Sequence, residues 1–147
     1  MKKLLPILIV AILLPSIVQA AITPAQLIKL ANQDRAANYL APLKENPKLT
    51  KAAQKRADYL ASTGYFNHQD PQGRWPWHYF TENGYKYKYA GENLARKFTE
   101  SEEVEKAFMS SPTHKANILN VHYKEVGSAI SIDSEGNYYV VAFYGSR

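Results

Sequence analysis

The succession of helical and strand patterns along the chain predicts an α+β domain. Apolar residues recur at helical spacing in two segments within residues 24–63, in the first half of the sequence. The last part of the chain is instead rich in β-branched and aromatic residues, at 125–133 and 137–144, with a turn-forming Ser-Glu-Gly triplet between the two runs. We therefore predict a group of helices followed by an antiparallel hairpin.

The first 20 residues have the composition of an export signal. Two lysines precede an almost uninterrupted apolar run at residues 4–18, and small residues lead up to a cleavage point at Ala20. The run is short for a membrane-spanning helix, and no second apolar run follows it. We therefore expect cleavage after Ala20, a single domain at residues 21–147, no transmembrane segment after cleavage, and a secreted or periplasmic location.

Composition limits how this domain is stabilised and what it binds. Removal of the first 20 of the 147 residues leaves 127, enough for one hydrophobic core. The absence of cysteine excludes disulfides, so 11 tyrosines, 5 phenylalanines and 2 tryptophans are expected to dominate that core. The formal net charge of +5 falls to +3 without the two N-terminal lysines, and the sequence has no basic block with a recognition motif. We therefore expect no nucleic-acid partner.

Two helices are predicted from cap signals in the first half of the chain. Thr23 and Pro24 supply an N-cap and a first helical residue, and the apolar periodicity continues to about position 39. Asn46 and the proline after it repeat this signal, and Gly64 provides a C-cap for the second helix. Both helices carry many alanines, so we expect them to pack closely against a flat surface.

The middle of the chain is predicted to contain a long ordered loop. Residues 65–89 lose helical periodicity and combine turn-forming residues with bulky aromatic ones. At the end of this segment, tyrosines alternate with polar residues and predict a strand at 86–90. We expect Trp75 and Trp77 to pack as a lid; if exposed on an exported protein, they would suit stacking on glycan rings.

Two further helices are predicted after this loop. Thr99, with Glu102 three residues later, has the pattern of a capping box and marks the start of the third helix. Ser111 followed by Pro112 marks the start of the fourth, because a serine hydroxyl can cap free backbone N–H groups and proline suits the first helical position.

Titratable residues in the second half of the chain suggest a site. His114 and Asn117 lie at i and i+3 on one face of the fourth helix, beside an isoleucine. A histidine on such a face needs a hydrogen-bonding partner. His68 in the aromatic loop and Glu92 after the tyrosine-rich strand are candidates, and any contact among them is tertiary. Asn93 and Asn117 are expected to be structural amides that bridge backbone groups.

Five motifs in a fixed order give the chain a resemblance to a known family. The sequences FNHQDPQG, GY, AGENLA, SSPTHKANIL and EVGSAI follow one another along the chain. Together they resemble the bacterial branch of the CAP superfamily, named for cysteine-rich secretory proteins, antigen 5 and pathogenesis-related proteins, whose domain is also called SCP. The lack of cysteine fits that branch. The resemblance implies an α-β-α sandwich, with a small, mainly antiparallel sheet between helices on both faces.

The resemblance also implies a cavity with two histidines and two acidic residues. By motif, His68 and His114 are the histidines and Glu92 is the first acid, while Ser111 occupies the usual position of the second acid. Tyr79 stands where bacterial relatives commonly have an arginine. We expect His68, Glu92 and His114 to share one cavity, with Ser111 beside them as a ligand-binding residue.

The chemistry of these side chains leaves three functions open. The leading hypothesis is an exported module that binds an extracellular lipid, cell-wall fragment or protein partner, since no serine or cysteine nucleophile pattern accompanies the histidines. A second is a peptidase-like hydrolase in which His68 and His114 hold a divalent metal such as zinc, with Glu92 or a histidine as general base. A third is a structural surface protein whose cavity only stabilises the fold.

Overall fold

The computed structural model describes residues 21–147, and the export signal predicted at residues 1–20 lies outside them. The described residues form five helices: α1 (Pro24–Ala37), α2 (Pro47–Thr63), α3 (Trp77–Glu82), α4 (Ser101–Ser110) and α5 (Pro112–Ile118). They also form four strands: β1 (Lys44–Glu45), β2 (Tyr89–Arg96), β3 (Glu125–Ile132) and β4 (Tyr138–Ser146). In this part of the chain no helix is both long enough and apolar enough to cross a bilayer.

The four strands make one sheet in the order β1-β3-β4-β2. β3 and β4 form the predicted antiparallel hairpin, β2 pairs antiparallel with the other side of β4, and only the short β1 runs parallel to its neighbour. In the hairpin turn, the Asp133 side chain accepts backbone hydrogen bonds from Glu135 and Asn137, at 2.9 and 2.8 Å. Gly136 supplies the positive φ of 82° that this turn requires.

Helices cover both faces of the sheet. The even-numbered side chains of β4 between positions 140 and 144 pack in a cluster with residues of α1, α4 and α5. The odd-numbered side chains between positions 139 and 143 pack in a second cluster with α2 and α3. Because side chains alternate along a strand, one strand serves both cores. The α-β-α sandwich and the mainly antiparallel sheet are therefore confirmed.

The alanine-rich α2 lies very close to the sheet, as its composition predicted. Ala52, Ala53 and Ala57 are completely buried in the core beneath it. Gly127 of β3 faces this helix, and a Cβ atom built there would overlap the backbone at Leu49. Small residues on both sides thus set the spacing between helix and sheet.

Three predicted cap signals are present in the first two helices. The Thr23 hydroxyl accepts a hydrogen bond from the Gln26 backbone at 3.2 Å, and the Asn46 side chain accepts one from Lys48 at 2.9 Å. Gly64 ends α2 with a φ of 68°, and its N–H donates to the Leu60 carbonyl. These caps could be predicted from the sequence because each one satisfies a backbone group within a few residues of itself.

The strand predicted at residues 86–90 is wrong in extent, because β2 begins only at Tyr89. The alternating tyrosines have another cause. The buried Tyr85 packs edge-on against Phe80, and its hydroxyl donates to Glu125 at 2.6 Å. The segment predicted to be irregular also contains α3, a short helix that buries Phe80.

The capping box predicted at Thr99 is wrong as well. The Thr99 carbonyl accepts a hydrogen bond from Ile22, and an isolated bridge joins Ala21 to Glu100. The chain is therefore extended at this point, and α4 starts two residues later, at Ser101, without a side-chain cap. Pairing with the segment before α1 outweighs the local helix signal here.

Candidate functional site

Glu92 is a buried carboxylate on the edge strand β2. Its side chain points toward α2, on the same face as Leu94 two residues later. Arg56 of α2 donates from Nε to Glu92 Oε2 at 3.0 Å, and both side chains are only 1% exposed. A buried carboxylate needs such a partner, since an isolated charge in the core is very costly.

Arg56 also holds the loop that carries His68. Its second guanidinium nitrogen donates to the backbone carbonyls of Asn67 at 2.5 Å and His68 at 3.1 Å. The rings of Tyr59 and Tyr79 both lie 5.9 Å from this guanidinium. One arginine therefore joins α2, β2 and the aromatic loop.

His68 completes this arrangement and faces solvent. Its Nδ1 atom lies 2.7 Å from Glu92 Oε1, and its side chain is 44% exposed. A carboxylate oxygen is a hydrogen-bond acceptor, so Nδ1 of His68 donates to Glu92. The remaining ring nitrogen, Nε2, makes no hydrogen bond to residues 21–147 and is left for a ligand in the cleft.

These groups open into a cleft of about 210 Å³. It is lined by His68, Trp75, Trp77, Ala90, Gly91, Glu92 and Asn117. The two indole planes are nearly parallel, at 3°, with centroids 6.2 Å apart, and Trp75 is 52% exposed. Trp75 is thus not buried as a packed lid, and its exposed surface forms part of the wall of an accessible cleft.

His114 lines a second groove, of about 320 Å³, between β2, α4 and the start of α5. Its imidazole packs against Phe108, with ring centroids 5.1 Å apart. Burial, and to a smaller extent the imidazole of His68, lowers the pKa of His114, so it is uncharged at neutral pH.

A pair of amides joins α5, which carries His114, to β2, which carries Glu92. Asn117 Nδ2 donates to the Glu92 carbonyl at 3.1 Å and to Asn93 Oδ1 at 2.8 Å. Asn93 in turn donates to the His114 carbonyl at 3.1 Å. Both amides therefore bridge backbone groups, as expected.

Ser111 lies with His114 in the second groove. It stands at the N-cap position of α5, and its carbonyl accepts from Lys115, so the predicted helix start is correct. Its hydroxyl does not cap the helix but lies 3.3 Å from the Thr113 hydroxyl. Ser111 is thus a neutral residue at the position where the resemblance implies a second acid, and Glu92 is the one carboxylate that lines the cleft in the described part of the chain.

The donor set does not fit the metal centre expected at His68 and His114. Residues 21–147 contain no group of three or more histidine and acidic side chains that could hold a metal ion. Both oxygens of Glu92 already accept hydrogen bonds, from Arg56 and His68. A zinc site would need further ligands that this cavity does not provide.

Arg56 is the site residue that sequence reasoning missed. It lies on the apolar stripe of α2, three residues after Ala53 and four before Leu60. An arginine in such a stripe is buried with its charge, so it requires an acidic partner elsewhere in the fold. The need for an acidic partner could be inferred from the sequence, but the identity of that partner, Glu92, could not.

Comparisons with known proteins agree with this architecture. A model of the CAP family, described as the cysteine-rich secretory protein family, matches residues 28–144. The chain therefore belongs to the CAP family, in its bacterial branch.

The uncharacterized protein YkwD of Bacillus subtilis (strain 168) is 35% identical over 102 residues, which make up 69% of this chain and 40% of that protein. An outer surface protein from Borrelia burgdorferi has the same fold, with a TM-score of 0.77, 22% identity, and coverage of 84% of this chain and 91% of that one. An extracellular protein containing a SCP domain from Bacillus anthracis str. Ames gives a TM-score of 0.75 at 18% identity, covering 84% of this chain. This chain spans 40% of the length of the YkwD protein and 40% of the B. anthracis chain.

Proposed function

We propose that this chain is an extracellular ligand-binding module, and that the cleft at His68, Glu92 and Asn117 is its binding site. The ligand classes expected from the sequence are a lipid, a cell-wall fragment or a protein partner. The cleft is open to solvent and places polar atoms beside two indole rings, which is the usual composition of a site that binds rather than only supports the fold.

The observation that carries this proposal is that the Glu92 carboxylate is buried and hydrogen-bonded at both oxygens. One carboxylate oxygen accepts from Arg56 and the other from His68, and the side chain is 1% exposed. A general base must reach the proton that it removes, and a carboxylate that is buried and hydrogen-bonded at both oxygens is poorly placed for that role. No serine or cysteine nucleophile lines the cleft in the described part of the chain. These points favour binding over hydrolysis with Glu92 as the general base.

An extracellular location is supported by two independent points. The first 20 residues have the composition of an export signal. Two relatives of the same fold are described as an outer surface protein and as an extracellular protein. A ligand outside the cell is the natural counterpart of such a location.

The proposal is tested by retention of a ligand from defined mixtures. The purified protein is incubated with a bacterial total lipid extract or with muramidase-digested peptidoglycan, separated by gel filtration, and examined by mass spectrometry for retained components. We expect the wild type to retain a component of one mixture and His68→Ala to retain it at least about tenfold less. His122→Ala is the matched control, because it removes an exposed histidine outside the cleft.

Three results would contradict the proposal. Equal retention by wild type and His68→Ala would exclude this cleft as the site. Retention of nothing from either mixture would leave the fold with a structural role. If the wild type converted a retained component into products and His68→Ala did not, the protein would be an enzyme and not only a binding module.

A further inference from the structure

We propose that the cleft binds a neutral glycan, with one pyranose ring stacked on Trp75 and its hydroxyl groups directed at His68 and Asn117. This inference rests on the proposed binding function and names the ligand class for that site. It follows from the shape of the wall, the polarity of the floor and the charge balance of the cleft.

The wall of the cleft is a rigid aromatic surface. Because the parallel Trp75 and Trp77 rings have centroids 6.2 Å apart, beyond the contact distance of stacked planes, they are displaced sideways and leave part of their faces open. Trp77 packs edge-on against the buried Phe80 at 5.7 Å, which fixes the pair to the core. Flat and exposed indole faces suit the C–H face of a sugar ring.

The floor of the cleft presents polar atoms that have no hydrogen-bond partner among residues 21–147. His68 donates from Nδ1 to Glu92 and keeps Nε2 for a ligand. Asn117 uses its NH₂ group to bind the Glu92 carbonyl and Asn93, and its side-chain oxygen accepts no hydrogen bond from the described residues. Two such atoms beside an aromatic wall match the hydroxyl groups that radiate from a pyranose ring, because a hydroxyl can both donate and accept.

The charge balance of the cleft favours a neutral ligand. The carboxylate of Glu92 is neutralised by Arg56, and Asp70 in the adjoining loop is paired with Arg74 at 2.7 Å. A cationic or anionic ligand would therefore find no unpaired opposite charge among the residues that line the cleft. A lipid chain would cover Nε2 of His68 and the side-chain oxygen of Asn117 without pairing them, which is unfavourable.

The size of the cleft sets the length of ligand that it encloses. Its volume of about 210 Å³ is below the roughly 300–1,000 Å³ that is usual for drug-sized ligands. One ring of a longer chain would enter it, and neighbouring rings would lie along the surface. A β-linked amino-sugar chain of the kind found in cell-wall glycan has this form.

The experiment is isothermal titration of the purified protein with chitotetraose, a neutral chain of N-acetylglucosamine rings. We expect saturable binding by the wild type, an affinity at least about tenfold lower for Trp75→Ala, and a smaller loss for Trp75→Phe, which keeps an aromatic face. Tyr39→Ala is the matched control, because Tyr39 is an aromatic residue that is 99% exposed and lies outside the cleft. Its affinity should equal that of the wild type.

The glycan assignment is overturned if chitotetraose does not bind the folded wild type, or binds Trp75→Ala equally well. Parallel titrations with choline and with sodium oleate separate this failure from failure of the binding function. If either of these binds in a Trp75-dependent way and chitotetraose does not, the cleft is a binding site for another ligand class. If none binds and His68→Ala also leaves retention from the two mixtures unchanged, both proposals fail.

Discussion

Glu105 is an acidic side chain buried on α4, away from the cleft. It is 6% exposed, and its Oε1 atom has no hydrogen-bond partner among residues 21–147. The side chain faces Asp34 of α1 and Tyr144 of β4. The positive charge of Arg35 also acts on the Tyr144 hydroxyl. Burial, together with the neighbouring carboxyl of Asp34, raises the pKa of Glu105 to about 8. The folded protein therefore keeps a proton on this residue at neutral pH.

This proton makes stability depend on pH in a defined direction. The ordinary pKa of 4.5 lies below the folded value of about 8, so between these values the folded state binds more protons than the unfolded one. The contribution to the free energy of unfolding is complete below pH 4.5 and declines as the pH rises toward 8, by up to about 1.4 kcal/mol per pH unit. Glu105→Gln should remove this decline, as measured by urea unfolding at several pH values.

The comparison needs a control, because other groups titrate in the same range. Glu103→Gln changes an exposed glutamate on the same helix and should follow the wild-type curve. The advantage of Glu105→Gln over the wild type should then grow from pH 5 to pH 8. Parallel curves for the two proteins would show that Glu105 is not held protonated.

At the scale of elements, the site is a junction of α2, β2 and the aromatic loop. Arg56 makes this junction through Glu92 and through the carbonyls of Asn67 and His68. Removal of one partner of a buried ion pair leaves the other charge without compensation, which costs about 3–5 kcal/mol. Removal of both partners costs much less, because apolar side chains can fill the space.

We therefore predict that Arg56→Met lowers the free energy of unfolding by about 3–5 kcal/mol, and that the double variant Arg56→Met/Glu92→Leu regains a large part of this loss. Urea unfolding measures both quantities. Lys55→Met, at the exposed neighbouring position, should change stability by less than about 0.5 kcal/mol. If Arg56→Met behaves like Lys55→Met, the ion pair does not hold the junction together.

The elements that sequence reasoning identified are those with self-contained signals. The caps of α1 and α2 and the hairpin each depend on contacts within a few residues. The errors occur where distant segments meet. The Thr99 carbonyl accepts a hydrogen bond from Ile22, and Tyr85 is fixed by side-chain contacts with Phe80 and Glu125 rather than by strand pairing of its own segment. A local sequence pattern gives no information about such tertiary partners.

At the scale of the whole molecule, the sandwich follows from the ordered motifs, whereas the faces that the site residues occupy do not. Glu92 and Asn93 are adjacent on the edge strand β2, so their side chains leave opposite faces of the sheet. Glu92 contacts His68 and Arg56 on one face, and the Asn93 side chain donates to the His114 carbonyl. The five motifs single out the residues, but the face that each side chain occupies depends on the register of the sheet.

The ligand-binding cleft is the central claim, and chemical-shift mapping of the ¹⁵N-labelled protein during titration with chitotetraose tests it most directly. The account predicts that the largest shifts fall on the indole N–H groups of Trp75 and Trp77, the amide of Gly91 and the side-chain amide of Asn117. Shifts absent from these groups, or confined to the groove at Phe108 and His114, would contradict it.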